Sequence, residues 1–220
     1  MEKGEDFRSQ LECENDNNDD DMILVDGLDD ANVGHTDSWN GAPWGRSKFI
    51  VGRPHRAVYD RERCISILEE KGKISREEAE QHFDIDEDGD YMDENGPIFV
   101  KVFKRRKRNL DRGKDLRSQF EEVMANLLYK VPIVDGFDDA IIGYTDSFMG
   151  MNFDAESEEA STIIGRPIRL VYDRDRCIEI LKRKHGPKRN KAEEDFESDE
   201  SEYLGASTPV FVTVLKRRKD

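Results

Sequence analysis

The chain has little of what most catalytic sites are built from. Its 220 residues include four histidines and three cysteines, and no two cysteines form a Cys-x-x-Cys pair. It contains neither a Walker loop nor a Gly-x-Gly-x-x-Gly dinucleotide fingerprint. No histidine recurs when the two halves of the chain are compared. These absences argue against a structural zinc site, a phosphate-binding loop and a nucleophile activated by histidine.

Long hydrophobic runs are also missing. No stretch approaches the roughly 20 apolar residues of a membrane span, and residues 1–6 lack the apolar core of a signal peptide. With so few cysteines, this predicts a cytoplasmic protein in a reducing compartment, without a membrane partner. Charged residues make up 39% of the chain and the net charge is -15. Such a charge favours solubility and disfavours non-specific binding to nucleic acid.

What the chain does have is an internal duplication. Three blocks of the first half return in the second half in the same order. The matched blocks are residues 25–31 and 134–140, residues 52–68 and 165–181, and residues 97–100 and 209–212. In the second pair, thirteen of seventeen residues are identical. The duplication predicts two tandem units, residues 1–112 and residues 113–220.

Each unit is predicted to be α+β. The apolar pattern reads helix, strand, turn, strand, helix, helix, strand, which predicts a short, mostly antiparallel sheet with two to three helices in each copy. Asp60 and Asp173 follow strand candidates and are placed as N-caps of helices that reach about Lys71 and Lys184. Residues 75–78 read Ser-Arg-Glu-Glu, a capping box that opens a further helix.

Clusters of aspartates are the strongest candidate for chemistry, as metal ligands. They lie in the turn after the first apolar run and after the next strand of each unit. The candidates are Asp26, Asp29, Asp30, Asp60, Asp135, Asp138, Asp139 and Asp173. Carboxylates bind Mg²⁺ or Mn²⁺, and such an ion activates water for phosphoester hydrolysis. The structural alternative is that Asp26-Gly27 is a turn, Asp29 or Asp30 caps a helical turn, and Asp60 caps a helix.

A second acidic stretch is similar to the start of a calcium loop. Residues 84–90 place oxygens at alternate positions, with Gly89 at the sixth. The twelfth position is Asn95 instead of glutamate, and Pro97 blocks the helix that an EF-hand requires next. A weak Ca²⁺ site and a solvated acidic loop both fit this pattern. No cofactor is predicted beyond a divalent ion, Mg²⁺ or Ca²⁺.

Arginines form the candidate binding surface. They precede the central strand of each unit and follow its last strand: Arg53, Arg56, Arg105, Arg106, Arg166, Arg169, Arg217 and Arg218. Basic runs of this kind contact phosphate in nucleic-acid-binding proteins, and they also pair with acidic loops of their own chain.

Four motifs in a fixed order resemble those of a known family. The motifs are Asp-Gly-Phe-Asp-Asp-Ala-Ile-Ile-Gly at residues 135–143, Val-Tyr-Asp-Arg-Asp-Arg-Cys-Ile-Glu-Ile-Leu at 171–181, Ser-Arg-Glu-Glu-Ala at 75–79 and Thr-Pro-Val-Phe at 208–211. They resemble a family of small uncharacterised proteins of bacteriophages and bacteria, which usually carry one copy of the unit. The first unit departs at the last motif, where it has an acidic insert. The resemblance implies the fold unit and assigns no activity.

Two functions from different classes follow. The first is a non-catalytic acidic binding protein with two similar modules that engages a protein partner, since duplication raises the effective concentration of the second contact. The resemblance adds a phage-type host-interaction or counter-defence role. The alternative is a divalent-metal-dependent phosphoester hydrolase that uses the repeated aspartates. The lack of a histidine shared by both units favours the binding protein.

Overall fold

The computed structural model describes most of both repeats. The described residues are 8–12, 22–36, 55–89, 96–104, 111–125, 131–145, 148–149, 165–166, 168–185, 196 and 209–215. Helices and strands occur in each repeat, so the α+β class is confirmed. None of the helices within these ranges is long and apolar enough to cross a membrane.

The two repeats contain matching elements. The first has α1 (8–12), β1 (Asn32–His35), β2 (Ala57–Asp60), α2 (Arg61–Gly72), α3 (Arg76–Gly89) and β3 (Ile98–Val102). The second has α4 (Arg112–Met124), β4 (Ile141–Thr145), β5 (Phe148–Met149), β6 (Gly165–Arg166), β7 (Leu170–Asp173), α5 (Arg174–His185) and β8 (Val210–Val214). A single 3₁₀ turn precedes the first strand of each repeat, at Asp29–Ala31 and Asp138–Ala140. Strands β5 and β6 form a separate two-stranded ribbon.

Six strands close into one barrel in the order β1-β2-β3-β4-β7-β8. The expectation of a short sheet within each repeat is therefore wrong. Strands β2 and β3 pair in parallel, as do β7 and β8, and α2 and α3 make the crossover of the first repeat. The other four barrel pairings are antiparallel, and two of them join one repeat to the other. The boundary between the units, placed at residue 112, stays a prediction.

The repeats meet at two seams in the barrel wall. At one seam β3 pairs with β4, and at the other β8 pairs with β1. Gly34 of β1 faces the backbone of β8, where a Cβ atom would overlap the carbonyl oxygen of Thr213. Gly143 of β4 faces β3, where a Cβ atom would overlap the carbonyl oxygen of Lys101. Glycine at these two positions lets the strands of the two repeats approach closely enough to pair.

The apolar side chains form three clusters. One cluster contains inward-facing residues of β2, β3, β7 and β8 and fills the barrel: Val58, Ile98, Val100, Val171, Val210 and Val212. The residues between them point outward and pack under the helices of their own repeat. Tyr59 and Phe99 belong to the outer cluster of the first repeat, and Tyr172 and Phe211 to that of the second. Each repeat therefore has its own outer core, and the two share the inner one.

Local signals in the sequence set the helix boundaries. Helix α2 begins after Asp60 and ends at Gly72, and α5 ends at His185, each within one residue of the prediction. Ser75 and Glu78 form the predicted capping box, with the Glu78 carboxylate accepting from the Ser75 amide at 2.8 Å and the Ser75 hydroxyl accepting from the Glu78 amide at 3.3 Å. The bonds that the Glu78 carboxylate accepts from the Ser75 amide and from the Ser75 hydroxyl lower the pKa of Glu78.

Helix α3 corrects one prediction. Its backbone remains helical through Gly89, so the calcium loop or solvated loop expected to begin at residue 84 is wrong for residues 84–89. Residues 90–95 of that stretch lie outside the described residues. A helical backbone does not offer the turning geometry that an EF-hand loop needs at these positions.

Candidate functional site

The acidic turn of the first repeat is held by one arginine that the sequence analysis did not single out. Arg8 of α1 reaches three carboxylates: its Nε lies 2.9 Å from Glu12, and its two Nη atoms lie 3.0 Å from Asp26 and 3.2 Å from Asp29. A guanidinium group suits this role because its donors point in several directions within one plane. The bonds with Glu12 and Asp26 raise the pKa of Arg8, so the group stays charged.

The second repeat builds the same network from equivalent residues. Arg117 of α4 lies 3.3 Å from Glu121, 3.8 Å from Asp135 and 3.2 Å from Asp138. The charge of Asp138 is the main cause of the raised pKa of Arg117. We call these two sets, Arg8 with Glu12, Asp26 and Asp29, and Arg117 with Glu121, Asp135 and Asp138, the arginine clamps. Each clamp ties its acidic turn to the opening helix of its repeat.

A buried tyrosine fixes each acidic turn from the other side. The hydroxyl of Tyr59 accepts a hydrogen bond from the Val25 amide at 3.0 Å, and the hydroxyl of Tyr172 accepts one from the Val134 amide at 3.0 Å. Both rings are fully buried. Burial raises the pKa of Tyr59 to about 12, and burial also raises that of Tyr172.

The aspartates after the central strands cap helices, as their positions predicted. Asp60 accepts from the amides of Glu62 at 3.1 Å and Arg63 at 3.4 Å. Asp173 accepts from the amide of Arg176 at 3.1 Å. Burial raises the pKa of Asp60, and the two amide bonds oppose that shift without cancelling it. Both carboxylates therefore have a structural role at a helix N-terminus.

The aspartates of the turns do not cap helices. The residue that precedes the 3₁₀ turn is Leu28 in one repeat and Phe137 in the other, and neither turn has a side-chain cap. The expectation that Asp29 or Asp30 caps this turn is wrong, because Asp29 is instead drawn to Arg8. In the second repeat the backbone carbonyl of Asp139 accepts from Arg176 at 3.5 Å.

The metal hypothesis requires carboxylates that converge. Within the part of the chain that the structure describes, no group of three or more His, Cys, Asp or Glu side chains is placed to hold a metal ion. Of the eight candidate aspartates, Asp26 and Asp29 share one arginine, and Asp135 and Asp138 share another. Asp60 and Asp173 each bind the N-terminus of a helix. Four of the eight carboxylates therefore contact a guanidinium group that the chain itself supplies, and two contact backbone amides.

The candidate arginines are only partly within the described residues. Arg53, Arg105, Arg106, Arg217 and Arg218 lie outside them. Arg56 donates through its side chain to the carbonyl oxygens of Gly96 and, at 3.2 Å, Pro97, which fixes the approach to β3. Its equivalent, Arg169, donates its backbone amide to Thr145 at 2.9 Å, and Arg166 lies in β6, where it pairs with Phe148 of β5.

One pair of side chains is present in the first repeat alone. His35 at the end of β1 and His55 before β2 are both buried, and their Nδ1 and Nε2 atoms lie 2.7 Å apart. The rings meet edge to face, with centroids 4.7 Å apart. The equivalent residues are Tyr144 and Ile168. The sequence offered no motif for this pair because its members are twenty residues apart.

The arrangement as a whole is two matched sets of structural contacts with one unmatched histidine pair. The two equivalent cysteines, Cys64 and Cys177, are fully buried in the outer cores of their repeats. Comparison with protein-family models, with curated proteins and with solved structures gives no match to this chain.

Proposed function

We propose that the protein is a non-catalytic acidic interaction protein that engages a partner with a basic surface. One observation carries the proposal: the arginine clamps hold the repeated acidic turns. The aspartates that would be a hydrolase's metal ligands are thereby used to attach the turn to the opening helix in both repeats. Their repetition then reflects a need of the fold.

The distribution of charge supports a basic partner. Helix α3 carries seven acidic residues and one arginine, and Glu77 and Glu78 are exposed. The whole chain has a net charge of -15. A surface of this sign attracts positively charged partners and raises the rate of their association. The resemblance to phage and bacterial proteins makes a host protein of this kind the partner that we propose.

The alternative function, phosphoester hydrolysis with a divalent metal, lacks such support. It needs carboxylates that are free to bind an ion and a group that stabilises the charge developing on the phosphate. Among the described residues, the guanidinium groups nearest the acidic turns are Arg8 and Arg117, and these are already bound by three carboxylates each. The histidine pair is buried and occurs once.

The experiment for the proposed function compares two charge-reversed variants. Glu77→Lys with Glu80→Lys changes one face of α3, because residues three apart lie on the same side of a helix. Glu122→Lys with Glu179→Lys makes the same change in net charge on exposed positions of α4 and α5. Each protein is immobilised and exposed to a bacterial lysate, and the retained proteins are quantified by mass spectrometry.

We expect basic proteins to be enriched at least tenfold on the wild-type chain at low salt. The α3 variant should lose them and the control variant should keep them. Equal retention by all three proteins would contradict the proposal. A parallel assay with bis(p-nitrophenyl) phosphate and Mn²⁺ tests the alternative: turnover that disappears in both Asp26→Ala and Asp135→Ala would replace the proposal with the hydrolase.

A further inference from the structure

A small cavity opens beside the acidic turn of the first repeat. Its volume is about 170 Å³. Its walls come from the turn, from α2 and α3, and from the outward face of β3; the side chains that matter here are Leu28, Ile67, Leu68, Lys71, Phe83 and Phe99. The turn also contributes Val25, Asp26 and Gly27, so the charged residues at the cavity are Asp26 and Lys71. The ammonium group of Lys71 donates to the carbonyl oxygen of Gly27 at 2.7 Å, which holds the positive charge beside the turn.

The second repeat has nearly the same walls. The equivalents of the last five wall residues are identical in type: Ile180, Leu181, Lys184, Phe196 and Phe211. Their geometry also matches. Phe83 and Phe99 meet edge to face with centroids 4.8 Å apart, and Phe196 and Phe211 do so at 5.0 Å. The remaining wall residue is the exception.

Leu28 of the first repeat corresponds to Phe137 of the second. The ring of Phe137 is buried, with its centroid 6.4 Å from that of Phe196 and 5.8 Å from the Lys184 ammonium nitrogen. An ammonium group within about 6 Å of an aromatic face is attracted to it. The second repeat therefore shows which group these walls accept: a phenyl ring supplied by the chain itself.

We propose that the cavity of the first repeat is a binding site for a small aromatic molecule with a ring of phenyl size. Leu28 lacks the three outer ring carbons of Phe137, the cavity lies beside it, and Lys71 corresponds to the Lys184 that contacts the ring. This site goes beyond the proposed interaction with a basic partner and does not depend on it.

The size and polarity of the cavity fit this ligand class. An apolar cavity of about 150 Å³ is large enough for benzene, and the cavity here is of similar volume. The rings of Phe83 and Phe99 offer edge and face contacts to an aromatic guest. A hydroxyl on the guest ring would accept a hydrogen bond from Lys71. Phenol combines these properties and serves as the probe.

The test titrates phenol into the full chain and follows the isoleucine and leucine methyl groups by ¹H–¹³C NMR. We expect saturable shifts of Ile67 and Leu68, with their equivalents Ile180 and Leu181 unmoved. Cyclohexanol, which has the same number of ring carbons and the same hydroxyl on a puckered, non-aromatic ring, should bind at least threefold more weakly. Equal affinity for cyclohexanol would overturn the aromatic assignment, and absence of shifts at Ile67 and Leu68 would overturn the site.

Two exchanges between the repeats complete the test. Leu28→Phe gives the first repeat the ring of the second and should weaken phenol binding at least tenfold. Phe137→Leu should make Ile180 and Leu181 respond to phenol. Undiminished binding of phenol by a folded Leu28→Phe variant would contradict the proposal. If that variant does not fold, the wild-type titration is the test. Equal shifts of the methyl groups in both repeats would then contradict the proposal.

Discussion

The two repeats of this chain make the same contacts with equivalent residues, apart from a few positions where they differ. In both, an arginine holds the acidic turn, a buried tyrosine accepts a bond from the turn, an aspartate caps the central helix and a glycine lets the first strand meet the other repeat. They differ where the first repeat has His35, His55 and Leu28 and the second has Tyr144, Ile168 and Phe137.

This comparison separates fold from function. The residues kept by the duplication are those with a structural task, including most of the aspartates that looked like metal ligands. Of the differing residues named above, all but the half-buried Tyr144 are buried. Duplication within one chain therefore helps to identify what the architecture requires.

The largest expected loss of stability comes from substitutions that disrupt strand pairing at the seams between the repeats. Gly34→Ala and Gly143→Ala each place a Cβ atom against the backbone of the other repeat. Because a strand backbone cannot move as a flexible side chain does, we expect each to lower the free energy of unfolding by about 3 kcal/mol or more. Chemical denaturation measures this. Gly72→Ala, whose Cβ would meet only the Ile74 side chain, should change stability by less than about 1 kcal/mol.

The next effect concerns the tyrosines that bind the turns. Tyr59→Phe and Tyr172→Phe each leave a buried amide without its acceptor, at an expected cost of about 2 kcal/mol. The cost at Tyr59 should be at least as large as that at Tyr172, because the Tyr59 hydroxyl also interacts with Asn32, whose equivalent in the second repeat is Ile141. A cost below about 0.5 kcal/mol in urea denaturation would show that the hydroxyl bond does not hold the turn.

The same tyrosines give the protein a weakness at high pH. Burial raises the pKa of Tyr59 from 10.0 to about 12, so the unfolded chain loses this proton before the folded chain does. The stability contributed by the neutral phenol is complete below pH 10 and declines as the pH rises toward 12. Urea denaturation at several alkaline pH values should show this decline, and Tyr59→Phe should reduce it. A pH-independent stability in this window would contradict the burial.

Replacing the histidine pair of the first repeat by the equivalent residues of the second tests whether the two rings stabilise each other. His55→Ile alone removes the partner 2.7 Å from His35 and should cost about 1.5 kcal/mol. The double variant, His35→Tyr with His55→Ile, copies the residues of the second repeat and should cost less than the sum of the single variants. Additive costs in a double-mutant cycle would mean that the two rings are not coupled.

The smallest effect concerns the arginine clamps. Arg8→Ala and Arg117→Ala should each cost no more than about 1 kcal/mol, because side chains about one-third exposed are screened by water and salt. Added sodium chloride should shrink both costs. Arg76→Ala, which removes a more exposed ion pair with Glu62, is the control and should cost less.

Signals that are local in sequence predicted much of the fold. The starts of three helices could be predicted from the caps at Asp60 and Asp173 and from the capping box at residue 75. Each of these hydrogen bonds spans only two or three residues, so its pattern is visible in the sequence. The alternation of apolar residues predicted strands β3 and β8. The Asp-Gly turns are also confirmed, since Gly27 and Gly136 have φ angles of 79° and 87°.

The features that the sequence did not reveal depend on contacts distant along the chain. Strand β1 contains a glycine and a buried histidine, which is a weak strand pattern, and its pairing with β8 joins residues about 180 apart. Arg8 meets Asp29 across twenty-one residues with no spacing rule to connect them. The duplication showed that both repeats exist, and it did not show that their strands would close one barrel.

One measurement tests most directly whether the two repeats form a single cooperative barrel. Cys64 and Cys177 are equivalent, fully buried and one in each repeat, so their alkylation reports the opening of each half. The intact chain is labelled at increasing denaturant and each cysteine is quantified by mass spectrometry. The shared interior predicts the same midpoint for both cysteines, and a common shift of both in Gly34→Ala. Two separate midpoints, with Cys177 unaffected by Gly34→Ala, would contradict it.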